Sequence, residues 1–183
     1  MKYFLDCGSN LGQGYEHFRK KYGDEYNYML FEPNKDCYDE LVKKYGAFPN
    51  VRLYNDAVYI EDCIKTFRCS DKFSVGGSII DSHNSGVPHN TQETMVSCVN
   101  ILKIIECISV DDNEIIIKFD IESSEYDVLE KMIESDLMFK VKKIYCEFHS
   151  KYMNDNDKRV FELRENKILS FIKDNNMCFE EWR

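Results

Sequence analysis

The chain has little of what would tie it to a membrane or to nucleic acid. No stretch approaches the roughly 20 apolar residues of a membrane span. Positive charge is scarce: 24 Lys and Arg stand against 33 Asp and Glu, a net charge of −9. That balance argues against DNA or RNA as the main partner, because phosphate binding needs a basic surface. None of the eight cysteines (Cys7, Cys37, Cys63, Cys69, Cys98, Cys107, Cys146, Cys178) belongs to a C-x-x-C pair. Buried free thiols in a reducing, cytoplasmic setting are therefore expected in preference to a zinc site or a disulfide framework. Met1-Lys2 leads directly into an expected strand, so no signal peptide is expected. Internal repeats, low-complexity tracts and domain linkers are also lacking. At 183 residues, with 43% hydrophobic and 14% aromatic residues, the composition is that of one globular domain, 1–183, with room for a real core.

What is present is a repeated pattern. Four short apolar runs each end on an acid: Lys2-Tyr-Phe-Leu-Asp6, Tyr28-Met-Leu-Phe-Glu32, Ile115-Ile-Ile-Lys-Phe-Asp120 and Ile144-Tyr-Cys-Glu147. Runs of this length, separated by helix-like segments, read as buried strands of a parallel sheet. Ligands of such sheets bind outside the carboxyl ends of the strands. Parallel neighbours would gather the four carboxylates along one edge, which is costly unless something cationic or rich in hydroxyls sits there. A ligand with a ribose diol and a positive centre fits that requirement.

The elements expected between these runs follow from spacing. A helix is expected from Gln13 to Tyr22, stopped at Gly23. A second, N-capped by Asn34, carries Cys37, Leu41, Val42 and Tyr45 inward and ends at Gly46. Val51–Tyr54 is a short third strand, Ile64–Cys69 an edge strand, and Met95–Ile101 another strand followed by a short helix. Glu114–Phe119, the most apolar, is the central strand. Helices holding Tyr126, Leu129, Met132 and Ile133, and then Phe161, Ile168, Leu169 and Ile172, flank a strand over Val141–Phe148. A last strand falls within Met177–Trp182. Residues 74 to 94 form a long irregular stretch, the kind that is usually a lid or binding loop. The fold class is α/β: a Rossmann-like, mostly parallel sheet with helices on both faces, expected to be truncated at the last strand.

The loop after the first strand carries the strongest signal. Asp6 is followed by Gly8-x-Asn-x-Gly12 and then a helix. Glycine lets backbone approach a ligand closely and adopts conformations closed to other residues. Gly8, Gly12 and Gly14 do not match the dinucleotide spacing G-x-G-x-x-G, and Asp6 would repel a pyrophosphate. It suits an ammonium or sulfonium instead. Glu32, at the next strand end, can accept hydrogen bonds from both hydroxyls of a ribose.

At this point Asp6-Cys-Gly-Ser-Asn-Leu-Gly12, Phe31-Glu-Pro33, Asn55-Asp-Ala-Val58, Lys118-Phe-Asp-Ile-Glu122 with Glu125, and Glu147-Phe-His149 occur in an order that resembles the FkbM-type methyltransferases, over roughly residues 2 to 182. These are class I enzymes that use S-adenosylmethionine (SAM). The resemblance implies that Asp6, Gly8, Asn10 and Gly12 surround the methionine part of SAM, that Glu32 holds the ribose, and that Asp56 and Ala57 lie beside the adenine. It implies that Asp120 faces the methyl donor and the acceptor, a hydroxyl of a sugar, glycan or other small metabolite. Ser78, from a Gly-Ser element of that family, is assigned with Glu122 to the acceptor side. Two departures stand out. Ser123 replaces the glycine usual after the second acid of the K-x-D-x-E stretch. The chain also starts on the first strand and stops around the sixth, as a minimal enzyme or one domain of a longer protein would.

An alcohol attacks poorly until its proton has somewhere to go, so a general base or a cation acting as Lewis acid is needed. Asp120 is the first candidate, with His149 and Glu147 beside it. Asp120, Glu147 and His149 could form an oxygen-rich metal site, but no tight ligand spacing enforces one, and no metal is assigned. Glu125 is read as capping or salt-bridging the next helix, Lys118 as pairing with a neighbouring acid, and His83 and His89 as solvated loop residues. Two alternatives remain at this stage: an NAD-dependent oxidoreductase, disfavoured by the glycine spacing, and a non-catalytic SAM-binding or interaction module.

Overall fold

A computed structural model describes residues 1–70, 72–84, 92–110 and 112–182. Its main sheet has six parallel strands: β1 (Lys2–Cys7), β2 (Asn27–Phe31), β3 (Val51–Tyr54), β7 (Glu114–Phe119), β8 (Lys143–Cys146) and β9 (Phe179–Glu181), in the order β3-β2-β1-β7-β8-β9. The expected Rossmann-like fold is therefore present, with the most apolar run, β7, at its centre. The order reverses between β1 and β7, and the crevice at the carboxyl ends of that pair is where such sheets bind ligands.

Strand alternation splits the core in two. On one face Phe4, Tyr28, Leu30, Ile116 and Tyr145 pack under α1 (Gln13–Tyr22) and α2 (Lys35–Tyr45). On the other, Leu5, Cys7, Ile115, Ile117, Phe119 and Cys146 pack under α3 (Ile101–Ile108), α4 (Glu125–Glu134) and α5 (Lys158–Asp174). The Asn34 side chain caps α2, accepting from the amides of Asp36 and Cys37. Val42, expected inward, is 41% exposed; it lies on the solvent side of a helix whose buried residues are Cys37, Leu41 and Tyr45.

A second sheet was not foreseen. β4 (Ala57–Tyr59), β5 (Cys63–Cys69) and β6 (Gln92–Asn100) form three strands in the order β4-β6-β5, with β5 antiparallel to β6. Its buried residues Ala57, Phe67 and Val96, with Ile79 from the stretch after β5, make a small cluster of their own. The strand expected at Ile64–Cys69 is an edge, but of this sheet. The stretch after β5 is anchored by backbone pairing of Ser78 with Arg68 and of His83 with Met153. His89 lies outside the described residues. Among those described, no helix is long and apolar enough to cross a membrane.

Candidate functional site

The carboxyl ends of β1, β2, β7 and β8 open into a cavity of about 250 Å³. Gly8, Asn10, Glu32, Lys118, Asp120, Glu122 and Glu147 line one side, and Ala57, Val58, Phe67 and Ile79 from the second sheet and its loop line the other. Every strand-end acid is thus at one edge, as the pattern of runs requires, but each is held differently.

Asp6 does not reach the cavity. It is fully buried, with Oδ1 3.1 Å from Lys118 Nζ. Lys118 is its register partner on β7, so the two side chains share a face by strand alternation. The same ammonium lies 3.3 Å from Asp120 Oδ2 and donates to the Gly8 carbonyl at 2.7 Å. Burial works against the lysine charge, but Asp6 and Asp120 outweigh it and hold Lys118 above its ordinary range. Lys118 thereby supplies the cation that clustered acids demand, and does so from inside the protein.

Gly8 sits at φ +81, and a Cβ there would meet the Asp120 carbonyl oxygen at 1.8 Å. Only glycine allows the two loops to cross at that distance. Asn10, next in the loop, lends its amide N–H to Glu32 Oε2 at 2.8 Å. The other Glu32 oxygen accepts from the Asn34 amide at 2.8 Å. Burial raises the Glu32 carboxyl to about 7, against the pull of those two amides. The Asn10 side-chain oxygen and the Ser124 hydroxyl are buried without a partner although both residues line the cavity.

Gly12 and Asp56 are not among the residues lining the cavity. Gly12, at φ +95, is the N-cap of α1 and faces the Tyr45 ring, whose Cε2 a Cβ would meet at 2.5 Å. Gly12→Ala is therefore expected to cost about 1–2 kcal/mol through its left-handed backbone, read as a lower thermal midpoint. Ligand affinity of the folded protein should stay within about twofold; a larger loss would return Gly12 to the binding wall. Asp56 is half-buried beside Ala57, its carboxyl pushed up by burial. Ser78 is turned from the cavity; its hydroxyl donates to the Glu122 carbonyl and accepts from the Ile80 amide.

The turn after β7 carries two successive left-handed non-glycine residues, Glu122 at φ 50 and Ser123 at φ 81. Ser123 stands where the related pattern has glycine, and its backbone takes the conformation for which glycine is the usual residue. Glu125 opens α4 and is fully buried. One of its oxygens accepts from the Ser123 amide at 2.9 Å, while the other accepts from the His149 amide and lies 3.1 Å from His149 Nδ1. The opposite ring nitrogen, His149 Nε2, is 3.7 Å from Asp120 Oδ1 and 3.5 Å from Glu122 Oε2. Burial disfavours the imidazolium, but Glu125, Glu122 and Asp120 outweigh it and lift the ring to about 9. Asp120, Glu122, Glu147 and His149 are thus brought together. His83, read from sequence as solvated, joins them: its side chain is 2% exposed and lies 3.2 Å from Glu122.

These features define a Rossmann-like α/β domain whose switch-point cleft is lined by carboxylates. The model of the methyltransferase FkbM domain matches residues 6–175, and the chain belongs to that family of methyltransferases. No curated protein was found to match its sequence. Among solved structures it is similar to the yeast methylglyoxal/isovaleraldehyde reductase Gre2 complexed with NADPH, at 9% identity and a TM-score of 0.46 over 99% of this chain. The chain spans 53%, about half, of that reductase's length.

Proposed function

We propose that the protein is a SAM-dependent O-methyltransferase acting on a hydroxyl of a small acceptor, a sugar or glycan. The observation that carries the reading is Glu32: a buried carboxylate at a strand end, held by two backbone amides and lining the switch-point cavity. Its remaining lone pairs suit a ribose diol. The apolar wall of Ala57, Val58, Phe67 and Ile79 suits a flat base. The unpartnered Asn10 oxygen and the surplus of acids over Lys118 suit the cationic end of SAM. When bound, SAM supplies an electrophilic methyl group on a sulfonium.

This chain's residues then have three tasks. The glycine loop and Glu32 position the donor, since much of a displacement barrier is geometric. Asp120, in the cavity wall, aligns the acceptor hydroxyl and takes its proton. His149 and Glu147 back Asp120 from an adjoining recess, which Ser70, Glu122 and Tyr152 also line. Glu122, between the cavity and that recess, lies on the acceptor side, and Ser78 holds its turn in place.

Calorimetric titration with S-adenosylhomocysteine and NAD is the test, followed by methyl transfer from SAM to a panel of hydroxylated acceptors. S-adenosylhomocysteine should bind and NAD should not; the reverse result would end this reading. Binding without turnover on any acceptor would remove its catalytic half. Asp120→Asn, which keeps a polar partner for Lys118, should lower turnover on the order of tenfold while donor affinity and the unfolding midpoint hold. An unchanged rate would take Asp120 out of the chemistry.

A further inference from the structure

We propose that Asp120, Glu122 and His149, with His83 beside Glu122, form a binding site for a first-row divalent transition cation such as Mn²⁺ or Zn²⁺. The proposal goes beyond methyl transfer and does not depend on it. One ligand atom each from Asp120, Glu122 and His149 lie within 4.8 Å of one another. Ligands bound at about 2.1 Å sit roughly 3 Å apart when adjacent and about 4.2 Å apart when opposed. The observed separations of 3.5 and 3.7 Å from His149 Nε2 to the two carboxylates need only small side-chain movements to close on an ion.

The hydrogen bonds around the two imidazoles carry the argument further. His149 Nδ1 faces a Glu125 oxygen, and a carboxylate can only accept, so Nδ1 holds a proton and Nε2 is the nitrogen that can exchange its proton for a cation. The Ser123 hydroxyl donates to Met153 Sδ at 3.1 Å, which leaves its oxygen to accept from His83 Nδ1 at 2.7 Å. In that tautomer His83 Nε2 carries a lone pair, and it lies 3.2 Å from Glu122 Oε2. That nitrogen is buried and makes no hydrogen bond. A buried imidazole nitrogen beside a carboxylate with no proton between them leaves two acceptors unsatisfied, and a cation satisfies both. Each ring is thus held at Nδ1 by a neighbour with Nε2 within 3.5 Å of Glu122, and a second partner at Nδ1 is how proteins hold metal-binding histidines. Ser123 performs that service for His83, and a glycine there could not.

The donor set selects the ion. An imidazole with two carboxylates, and a second imidazole beside one of them, suits a transition cation; Mg²⁺ and Ca²⁺ prefer all-oxygen sites. Asp120 keeps Oδ2 on Lys118 and offers Oδ1, so the ion would sit where the recess meets the cavity and could lower the pKa of a bound hydroxyl.

The test is titration of the EDTA-treated full chain with MnCl₂ and, separately, MgCl₂, in the absence of any methyl donor. Calorimetry gives the heat, and electron paramagnetic resonance gives the free Mn²⁺. One Mn²⁺ per chain is expected, bound at least about tenfold tighter than Mg²⁺. His149→Ala and Glu122→Gln should each weaken it by about tenfold or more, and Ser123→Gly, which frees His83 without touching a ligand, by a smaller factor. His149 is buried against Glu125, so circular dichroism checks its variant; Glu122→Gln, at a residue 14% exposed, carries the test if that variant does not fold. Absence of saturable Mn²⁺ binding, or binding that both variants leave unchanged, overturns the proposal. Equal affinity for Mg²⁺, indifferent to the histidine substitutions, overturns the choice of ligands. Because no donor is present, these results stand whether or not the protein transfers methyl groups.

Discussion

Lys118→Met destabilises the protein by about 3–5 kcal/mol, the range for removing one partner of a buried ion pair. The methionine keeps most of the volume of the lysine stem, so the loss is electrostatic. Asp6 has no exposed surface and lies 3.1 Å from the ammonium; without Lys118 it faces a low-dielectric interior with no counter-charge. Asp120 loses the same partner but retains contact with the cavity, and the Gly8 carbonyl loses its 2.7 Å donor. Adding Asp6→Asn to Lys118→Met should therefore recover more than half of the loss, and the remainder measures what Gly8 and Asp120 draw from the lysine. Urea unfolding of the wild type, both single variants and the double variant gives the coupling directly. A double variant no more stable than Lys118→Met would mean that Lys118 does not stabilise the fold by neutralising Asp6.

That pairing marks the boundary of what the sequence makes visible. Apolar runs ending in acids identify β1, β2, β7 and β8 and the edge at which their carboxylates meet, because burial on both faces of a parallel sheet writes a continuous apolar run. Gln13–Tyr22 is readable as α1 from the periodicity of Tyr15 and Phe18. The alternation of β7 also tells that Lys118 faces away from Phe119. Which acid it meets depends on the register of β1 against β7, and nothing local encodes register between strands so distant in the chain. The second sheet escaped for a related reason: β4 is three residues long and joins β6 across the whole of β5 and its loop, so neither strand looks paired in isolation. His83 escaped because a lone histidine in an irregular loop is most often solvated. Its burial depends on contacts with Ser123 and Met153, both remote in sequence. Ser123 itself was conspicuous as a departure from the family's glycine, and the signal was sound, since the position does require φ 81. What the departure adds, a hydroxyl at hydrogen-bond distance from His83, appears only in three dimensions.

Glu32 gives the second large effect, and it runs in opposite directions for stability and for binding. Its carboxyl is raised from 4.5 to about 7 in the folded chain. A raised group binds more protons folded than unfolded, so the stability it contributes is present in full below about 4.5 and is lost as pH climbs through about 7. A shift of that size corresponds to something on the order of 3 kcal/mol across the window. Relative to Glu32→Gln, which has no charge to bury, the wild type should therefore lose stability steadily between those pH values, as followed by urea unfolding without ligand. Binding goes the other way. Only the ionised carboxylate is acceptor-only at both oxygens and can serve two ribose hydroxyls in addition to the Asn10 and Asn34 amides. Affinity for S-adenosylhomocysteine should accordingly rise through pH 7 in the wild type and stay nearly level in Glu32→Gln, while Glu32→Ala should bind at least about tenfold more weakly, or 1.4 kcal/mol, at pH 8. A protein that grips its ligand through a buried acid must hold that acid charged at the expense of its empty form. Parallel stability curves for wild type and Glu32→Gln would show that no such tension exists at this strand end, and ligand affinities indifferent to both pH and substitution would remove Glu32 from the binding site.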